Sequence, residues 1–162
     1  FINLTWGRDD SYDHDHRLIH LPMARPYCKK VARAIGDELE NLEIPHHKKG
    51  TVMVIQGPRF STIAESKMYA LWGGDIVNMT QYPECYFARE LGLCYGVMIS
   101  ITDYDVGVAS DVVMRHDAFD KVLPIFQRNI ALTHQVLAQV LQNHQGFINC
   151  NCADVETRHY YS

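Results

Sequence analysis

The sequence predicts an α/β fold in which a mostly parallel, mixed sheet is flanked by helices. Helix-like and strand-like segments alternate along the chain, and Gly and Pro residues separate them. The predicted strand 94–101 is apolar throughout, as is typical of a sheet that is covered on both faces. The length of 162 residues suits a single domain over residues 1–162 with a substantial core.

The first half of the chain contains a helix, a strand and a second helix. The first helix is predicted over 27–42, with apolar residues at helical spacing at Val31, Ile35, Leu39 and Leu42. The segment 1–25 lacks such a pattern and is predicted to be irregular. A strand over 51–56 ends at Gly57 and Pro58. In the helix that follows, Thr62 and Glu65 have the spacing of a capping box, and Gly73 and Gly74 end it.

The second half continues the alternation. A strand is predicted over 75–79, a helix over 82–91 with Pro83 near its start and Gly92 past its end, and a strand over 94–101. A long helix over 117–142 has six apolar residues on or near one face: Phe119, Leu123, Phe126, Ile130, Leu137 and Leu141. The tail from Gly146 is expected to be weakly ordered.

Composition excludes several classes of function. The net charge of −4 argues against a nucleic-acid or anionic-membrane partner, and no apolar run approaches the ~20 residues of a membrane span. Single cysteines at 28, 85 and 94 are predicted to be buried thiols in a reducing compartment, which favours the cytoplasm. Cys150 and Cys152 form a CxC pair, for which a redox pair, half a metal site and chance all stay open.

Histidine is abundant, and three of the nine histidines fall in HDHRLIH at positions 14, 16 and 20. No helical or CxxC-type frame fixes their spacing, so they do not predict a metal site.

Polar and aromatic residues cluster where the three predicted strands end, at 56–61, 78–80 and 102–105. Ligands of open α/β sheets bind beyond the carboxyl ends of the strands, and neighbouring parallel strands bring these ends to one edge. Structural explanations remain open for each residue: a turn at Gly57 and Pro58, core packing for Phe60 and Met79, helix capping for Ser61 and Thr80, a surface ion pair for Arg59, and a cap or solvated acid for Asp103 and Asp105.

Asp103 and Asp105 are two residues apart, so in extended chain both carboxylates point to the same side. Two close carboxylates do not both ionise cheaply, and one is therefore expected to hold a proton. A neutral carboxylic acid can donate that proton to a departing group.

Three segments, in chain order, resemble the trimeric purine nucleoside phosphorylases, most closely the methylthioadenosine phosphorylase branch: HLPMARPYC (20–28), GTVMVIQGPRFSTIAES (50–66) and GGDIVNMTQYPECYFARELGLCYGVMISITDYDVG (73–107). The resemblance covers roughly residues 1–145. It implies that the chain is the C-terminal portion of a nucleoside phosphorylase domain, truncated at the N-terminus before the loops that form most of the phosphate site. Family members often carry a CxC near the C-terminus.

The resemblance implies phosphorolysis of a purine nucleoside to free base and pentose 1-phosphate, with inorganic phosphate as co-substrate and no metal or other cofactor. A homotrimer or higher homo-oligomer is also implied. The implied roles are phosphate binding by Thr80, sugar contacts by Asn78 and Met79, base contacts by Phe60 and Ser61, N7 protonation by Asp103, support or a 6-amino contact by Asp105, and contact with the 5′ end of the sugar in a neighbouring subunit by His20.

The base preference also follows from the resemblance. The 6-oxopurine branch has Glu where Ser61 stands and Asn where Asp103 stands, so Ser61, Asp103 and Asp105 favour adenine. A 6-oxopurine or methylthioinosine phosphorylase, a nucleoside hydrolase, and a non-catalytic binding or assembly module remain the alternatives.

Overall fold

In a computed structural model, the chain is described for residues 1–12, 20–108, 118–144 and 150–153. His14, His16 and most of the predicted weakly ordered tail lie outside these residues. The elements within them are β1 (Ile2–Asn3), α1 (Lys29–Asn41), β2 (Val52–Val54), α2 (Ile63–Leu71), β3 (Ile76–Asn78), α3 (Gln81–Glu90) and α4 (Ala118–Asn143). Among the described helices, none has the length and apolar character needed to cross a membrane.

The sheet is parallel and has the order β1-β2-β3, which confirms the predicted parallel α/β architecture. Ile2 lies opposite Met53 in β2, and Val54 lies opposite Asn78 in β3. The prediction that 1–25 is irregular is wrong at Ile2–Asn3, because a strand of two residues is too short to show a period of two in the sequence.

The predicted strand over 94–101 is wrong, since these residues belong to no strand of the described chain. Their apolar character has a different cause. Met98 packs on the core between α1 and α4, and Ile99 packs on a second core beside the sheet, formed by Val52, Val54 and Tyr82. A segment between two cores must be apolar whether or not its backbone pairs with a strand, so composition alone cannot separate the two cases.

The first core lies between α1 and α4 and consists of Ala34, Ile35, Val136 and Val140. The predicted apolar side of α1 is confirmed, because Val31, Leu39 and Leu42 pack around this core.

The predicted long helix is confirmed as α4, but its predicted apolar face does not form the core, because these larger residues are exposed: Leu123, Phe126, Ile130, Leu137 and Leu141. The side chain of Phe119 lies outside the described part. The helix has two apolar stripes, and the stripe with the small residues Val136 and Val140 packs against Ala34 and Ile35 of α1. Small side chains allow two helices to approach closely, whereas spacing in the sequence does not reveal which stripe is covered.

Candidate active site

The ends of β2 and β3 meet at one edge of the sheet. The backbone N–H of Ile55 donates to the carbonyl oxygen of Asn78 at 2.8 Å, which continues the pairing to the last residue of β3. Gly57 has a φ of 64°, and a Cβ added to it would lie 2.1 Å from Sδ of Met79. The turn explanation for Gly57 is therefore confirmed, and the residue also leaves room for the Met79 side chain.

The loop over 101–107 approaches the same edge of the sheet. A Cβ on Gly107 would lie 3.0 Å from Cγ2 of Ile63, the first residue of α2, so this loop packs beside the connection from β2. Nδ2 of Asn129 in α4 donates to the carbonyl oxygen of Ile101 at 3.0 Å. The predicted convergence of three chain ends is confirmed, although only two of them end strands.

The connection between β2 and α2 is fastened by an ion pair and a helix cap. The Arg59 guanidinium donates to both carboxylate oxygens of Glu65, at 2.8 and 2.6 Å. The predicted capping box is confirmed, since the Thr62 N–H donates to Glu65 Oε2 at 2.8 Å and the Glu65 N–H donates to Thr62 Oγ1 at 3.2 Å. Arg59, followed by the Thr62 backbone, lowers the pKa of Glu65 to about 2. The ion-pair explanation for Arg59 is thus confirmed.

Two large apolar side chains stand exposed at this edge. Phe60 is 65% exposed and Met79 is 45% exposed, so the core-packing explanation is wrong for both residues. An aromatic ring and a thioether in this position provide apolar, polarisable surfaces for a flat ring and a sugar.

Among the described residues, the structure shows no helix capping by the side chain of Thr80 or of Ser61. Thr80 occupies the N-cap position of α3, but its side chain makes no capping hydrogen bond and the residue is exposed. Thr62, not Ser61, caps α2. The hydroxyl oxygen of Ser61 is buried in the connection. The hydroxyl of Thr80 is therefore not used for capping and is accessible to a ligand.

Asn78 and Asp105 each contribute a buried oxygen to the edge. Oδ1 of Asn78 and Oδ2 of Asp105 are buried and have no hydrogen-bond partner among the described residues. Burial raises the pKa of Tyr69 in α2, Glu65 raises it further, and Asp105 adds a smaller contribution in the same direction, so the Asp105 carboxylate lies near α2. A buried polar atom without a partner costs about 1–3 kcal/mol, which a ligand that supplies a donor would recover.

Asp103 and Asp105 differ in environment. Asp103 is exposed and its Oδ1 accepts a hydrogen bond of 2.5 Å from Thr102 Oγ1, whereas Asp105 is half-buried. The chain bends at Asp103 and turns at 106–108, so the alternation of side chains expected for extended chain does not apply here. That both acids face one ligand stays a prediction.

Arg8 is a residue of this edge that the sequence analysis missed. Its guanidinium donates to three carbonyl oxygens, those of Met79 at 2.7 Å, Tyr82 at 2.6 Å and Gln56 at 3.3 Å. It therefore holds the residues after β2 and after β3 in place. A single arginine in an irregular segment has no spacing pattern, and only the neighbouring Gly7, with a φ of 65°, marks a turn there.

His20 is exposed. Its role at the 5′ end of a sugar in a neighbouring subunit stays a prediction.

The fold is that of an α/β protein with a parallel sheet, a class in which ligands bind at the carboxyl ends of the strands. The family model described as "Phosphorylase superfamily" matches residues 1–142, so the chain belongs to this family, as the resemblance predicted.

The proteins that are similar to this chain include nucleoside phosphorylases. An S-methyl-5'-thioadenosine phosphorylase of Nitrosopumilus maritimus is 37% identical over 153 residues, covering 94% of this chain and 56% of the relative. A probable 6-oxopurine nucleoside phosphorylase of Dictyoglomus turgidum is 32% identical over 94% of this chain and 57% of the relative. The structure of methylthioadenosine phosphorylase from Schistosoma mansoni in complex with adenine has a TM-score of 0.83 at 27% identity, with 98% of this chain and 63% of that chain covered. The chain thus spans somewhat over half the length of these relatives.

Proposed function

We propose that this chain forms the base- and sugar-binding part of a purine nucleoside phosphorylase, with 5′-methylthioadenosine as substrate. The products would be adenine and 5-methylthioribose 1-phosphate. The observation that carries the proposal is the convergence of three connections, 56–61, 78–80 and 101–107, on one edge that presents exposed Phe60 and Met79. The names of the similar proteins support the same class of reaction.

The residues of the edge suit the chemistry of such a reaction. Phe60 would pack on the purine, and Met79 would lie under the ribose beside the buried Oδ1 of Asn78. Departure of the base leaves an oxocarbenium-like sugar, which the phosphate dianion both stabilises and attacks. The exposed hydroxyl of Thr80 would donate to that phosphate. Holding phosphate and nucleoside together supplies a large part of the acceleration.

The acids would assist the departing base. Asp103 would act as the general acid at N7 of the purine, and catalysis of this kind contributes ~10²–10⁴-fold. Asp105 would support it or accept a hydrogen bond from a 6-amino group, and Ser61 would border the base. Because a carboxyl group can both accept from a 6-amino group and donate to N7, this set favours adenine over a 6-oxopurine.

The decisive experiment is an assay of protein expressed from the complete reading frame that contains this chain. We expect release of adenine from methylthioadenosine that depends on inorganic phosphate, with 5-methylthioribose 1-phosphate as the second product. Release of free 5-methylthioribose without phosphate would instead identify a hydrolase. Failure to release base from any purine nucleoside would overturn the proposal and leave a binding or assembly module.

A second candidate is a phosphorylase of 6-oxopurine nucleosides, favoured by the relative from Dictyoglomus turgidum. Parallel assays with inosine and methylthioinosine distinguish it, since a 6-oxopurine enzyme would have the higher kcat/KM on these substrates. The expected homotrimer and the cytoplasmic location are further predictions. Sedimentation of the same protein tests the oligomeric state.

A further inference from the structure

Four of the five cysteines meet at a place that the proposed reaction does not use. The Sγ atoms of Cys28, Cys94, Cys150 and Cys152 all lie within 4.8 Å of one another. We call these four residues the cysteine cluster. The prediction that Cys94 is a buried thiol is wrong, because it is exposed in this cluster, while Cys28 and the remaining Cys85 are buried as predicted.

Three separate parts of the chain hold the cluster together. Cys28 is the N-cap residue of α1, and its backbone N–H donates to the carbonyl oxygen of Tyr95 at 2.8 Å, which ties it to the residue after Cys94. The turn with the CxC pair packs against the end of α3, where a Cβ on Gly92 would lie 3.3 Å from Cα of Ala153. These contacts bring together residues that are far apart in the sequence.

The spacing of the sulfur atoms fits one metal ion better than two disulfides. Four thiolates around a tetrahedral Zn²⁺ at about 2.3 Å have sulfur atoms about 3.8 Å apart, and all four are mutual neighbours. The cluster has this property, with every Sγ atom within 4.8 Å of the others. Two disulfides would instead give two pairs at about 2.05 Å. The shortest contact described, between Cys94 and Cys150, is 3.0 Å.

The chemistry of the four side chains suits a metal ion. Thiolate is the form of cysteine that binds metals. A set of four sulfur ligands is one of the usual ligand sets of a structural Zn²⁺ site.

We propose that the cysteine cluster is a structural Zn²⁺ site in which the four thiolates complete a tetrahedral coordination shell. Binding of the ion releases the thiol protons to solvent. The ion would fasten the CxC turn to the start of α1 and to Cys94, the start of the segment whose other end carries Asp103. A closed shell of four protein ligands leaves no open position for a substrate, so the site is separate from the phosphorolysis chemistry.

The test is the zinc content of protein expressed from the complete reading frame in zinc-supplemented medium and purified with reductant and without chelator. We expect about one Zn²⁺ per chain. The double variant C150S/C152S should lower the content at least about tenfold, since two of four ligands are lost. Cys85→Ala is the matched control, because Cys85 lies outside the cluster, and its zinc content should stay at the wild-type level.

A spectroscopic measurement on the wild-type protein avoids reliance on a variant that folds poorly. Replacement of zinc by Co²⁺ should give thiolate-to-cobalt charge-transfer absorption and the intense visible bands of a tetrahedral site. Wild-type protein with less than about a tenth of a zinc per chain, or without these bands, would overturn the proposal. Two disulfides among the four cysteines, found by mass spectrometry in protein purified under these conditions, would overturn it as well. These outcomes are independent of whether the protein cleaves nucleosides.

Discussion

The two sides of the candidate site are built differently. The connection from β2 to α2 is fixed chiefly by local bonds, namely the Arg59–Glu65 ion pair and the capping box of Thr62, beside one remote bond from Arg8 to Gln56. The loop 101–108 is held by remote contacts, from Asn129 in α4 and from Ile63 in α2, and it carries the buried Oδ2 of Asp105, which has no hydrogen-bond partner in the described part of the chain. The first side is thus organised before a ligand binds, whereas on the second side Oδ2 of Asp105 can accept a hydrogen bond from a ligand.

The largest effect is expected on the second side, from Asp103→Asn. An amide cannot give up a proton to N7, so kcat/KM for methylthioadenosine should fall about 10²–10⁴-fold. The loss for a 6-oxopurine nucleoside should be much smaller. The measurement is kcat/KM for methylthioadenosine and inosine with both proteins.

Asp120→Asn is the matched control, because Asp120 is an exposed acid in the first turn of α4. It should leave both values unchanged. An equal loss on the two substrates in Asp103→Asn would reject the argument that the acid selects a 6-amino base.

A moderate effect is expected on the first side, from Gly57→Ala. A residue other than glycine at a φ of 64° is strained by about 1–2 kcal/mol, and the added methyl group would displace the Met79 side chain. Urea unfolding should show a free energy of unfolding lower by about that amount, and KM for the nucleoside should rise because Met79 moves.

The control for Gly57→Ala is Gly36→Ala in α1. A Cβ there meets nothing within 4 Å, and alanine favours a helix by roughly 0.5–1 kcal/mol over glycine. The two substitutions should therefore have opposite signs. A stable Gly57→Ala protein with unchanged KM would show that the close approach of Gly57 to Met79 has no functional consequence.

The contrast between the two sides also explains what the sequence could predict. Thr62 and Glu65 interact over three residues, so spacing alone revealed the cap and its helix. The order of the helices and the parallel sheet followed from similarly local patterns. Arg8 bonds to carbonyl groups 48 to 74 residues away, and the cysteine cluster joins four positions from 28 to 152. Such contacts depend on the tertiary fold and leave no periodic signal in one sequence.

The same reason accounts for the errors at 94–101 and on α4. The apolar run at 94–101 is only partly covered: Met98 and Ile99 pack on two cores, whereas Cys94 and Ile101 are exposed. On α4 the spacing identified an apolar stripe. A different stripe is buried, because Val136 and Val140 pack against the small Ala34 of the facing helix. A single sequence shows that a surface is apolar and does not show its partner.

The smallest effect is expected from Glu65→Gln, which tests directly whether the Arg59–Glu65 ion pair stabilises the protein. The pKa of Glu65 is lowered from 4.5 to about 2, first by the hydrogen bond from Arg59. Because the unfolded carboxyl binds a proton near pH 4.5 and the folded one only near pH 2, its stabilising contribution is complete above pH 4.5 and is lost as the pH falls to about 2. Wild type should have the higher Tm at pH 7, and the difference should shrink towards pH 2.

The control for this pH dependence is Glu40→Gln, which removes the exposed ion pair with Lys48 at the end of α1. The pKa of Glu40 is also lowered by its partner, so both variants should narrow their Tm difference in acid, yet only Glu65→Gln should raise KM for the nucleoside. Both ion pairs are solvent-screened, but only the bond to Arg59 fastens the loop that presents Phe60. An unchanged KM in Glu65→Gln would mean that the first side of the site does not depend on its ion pair.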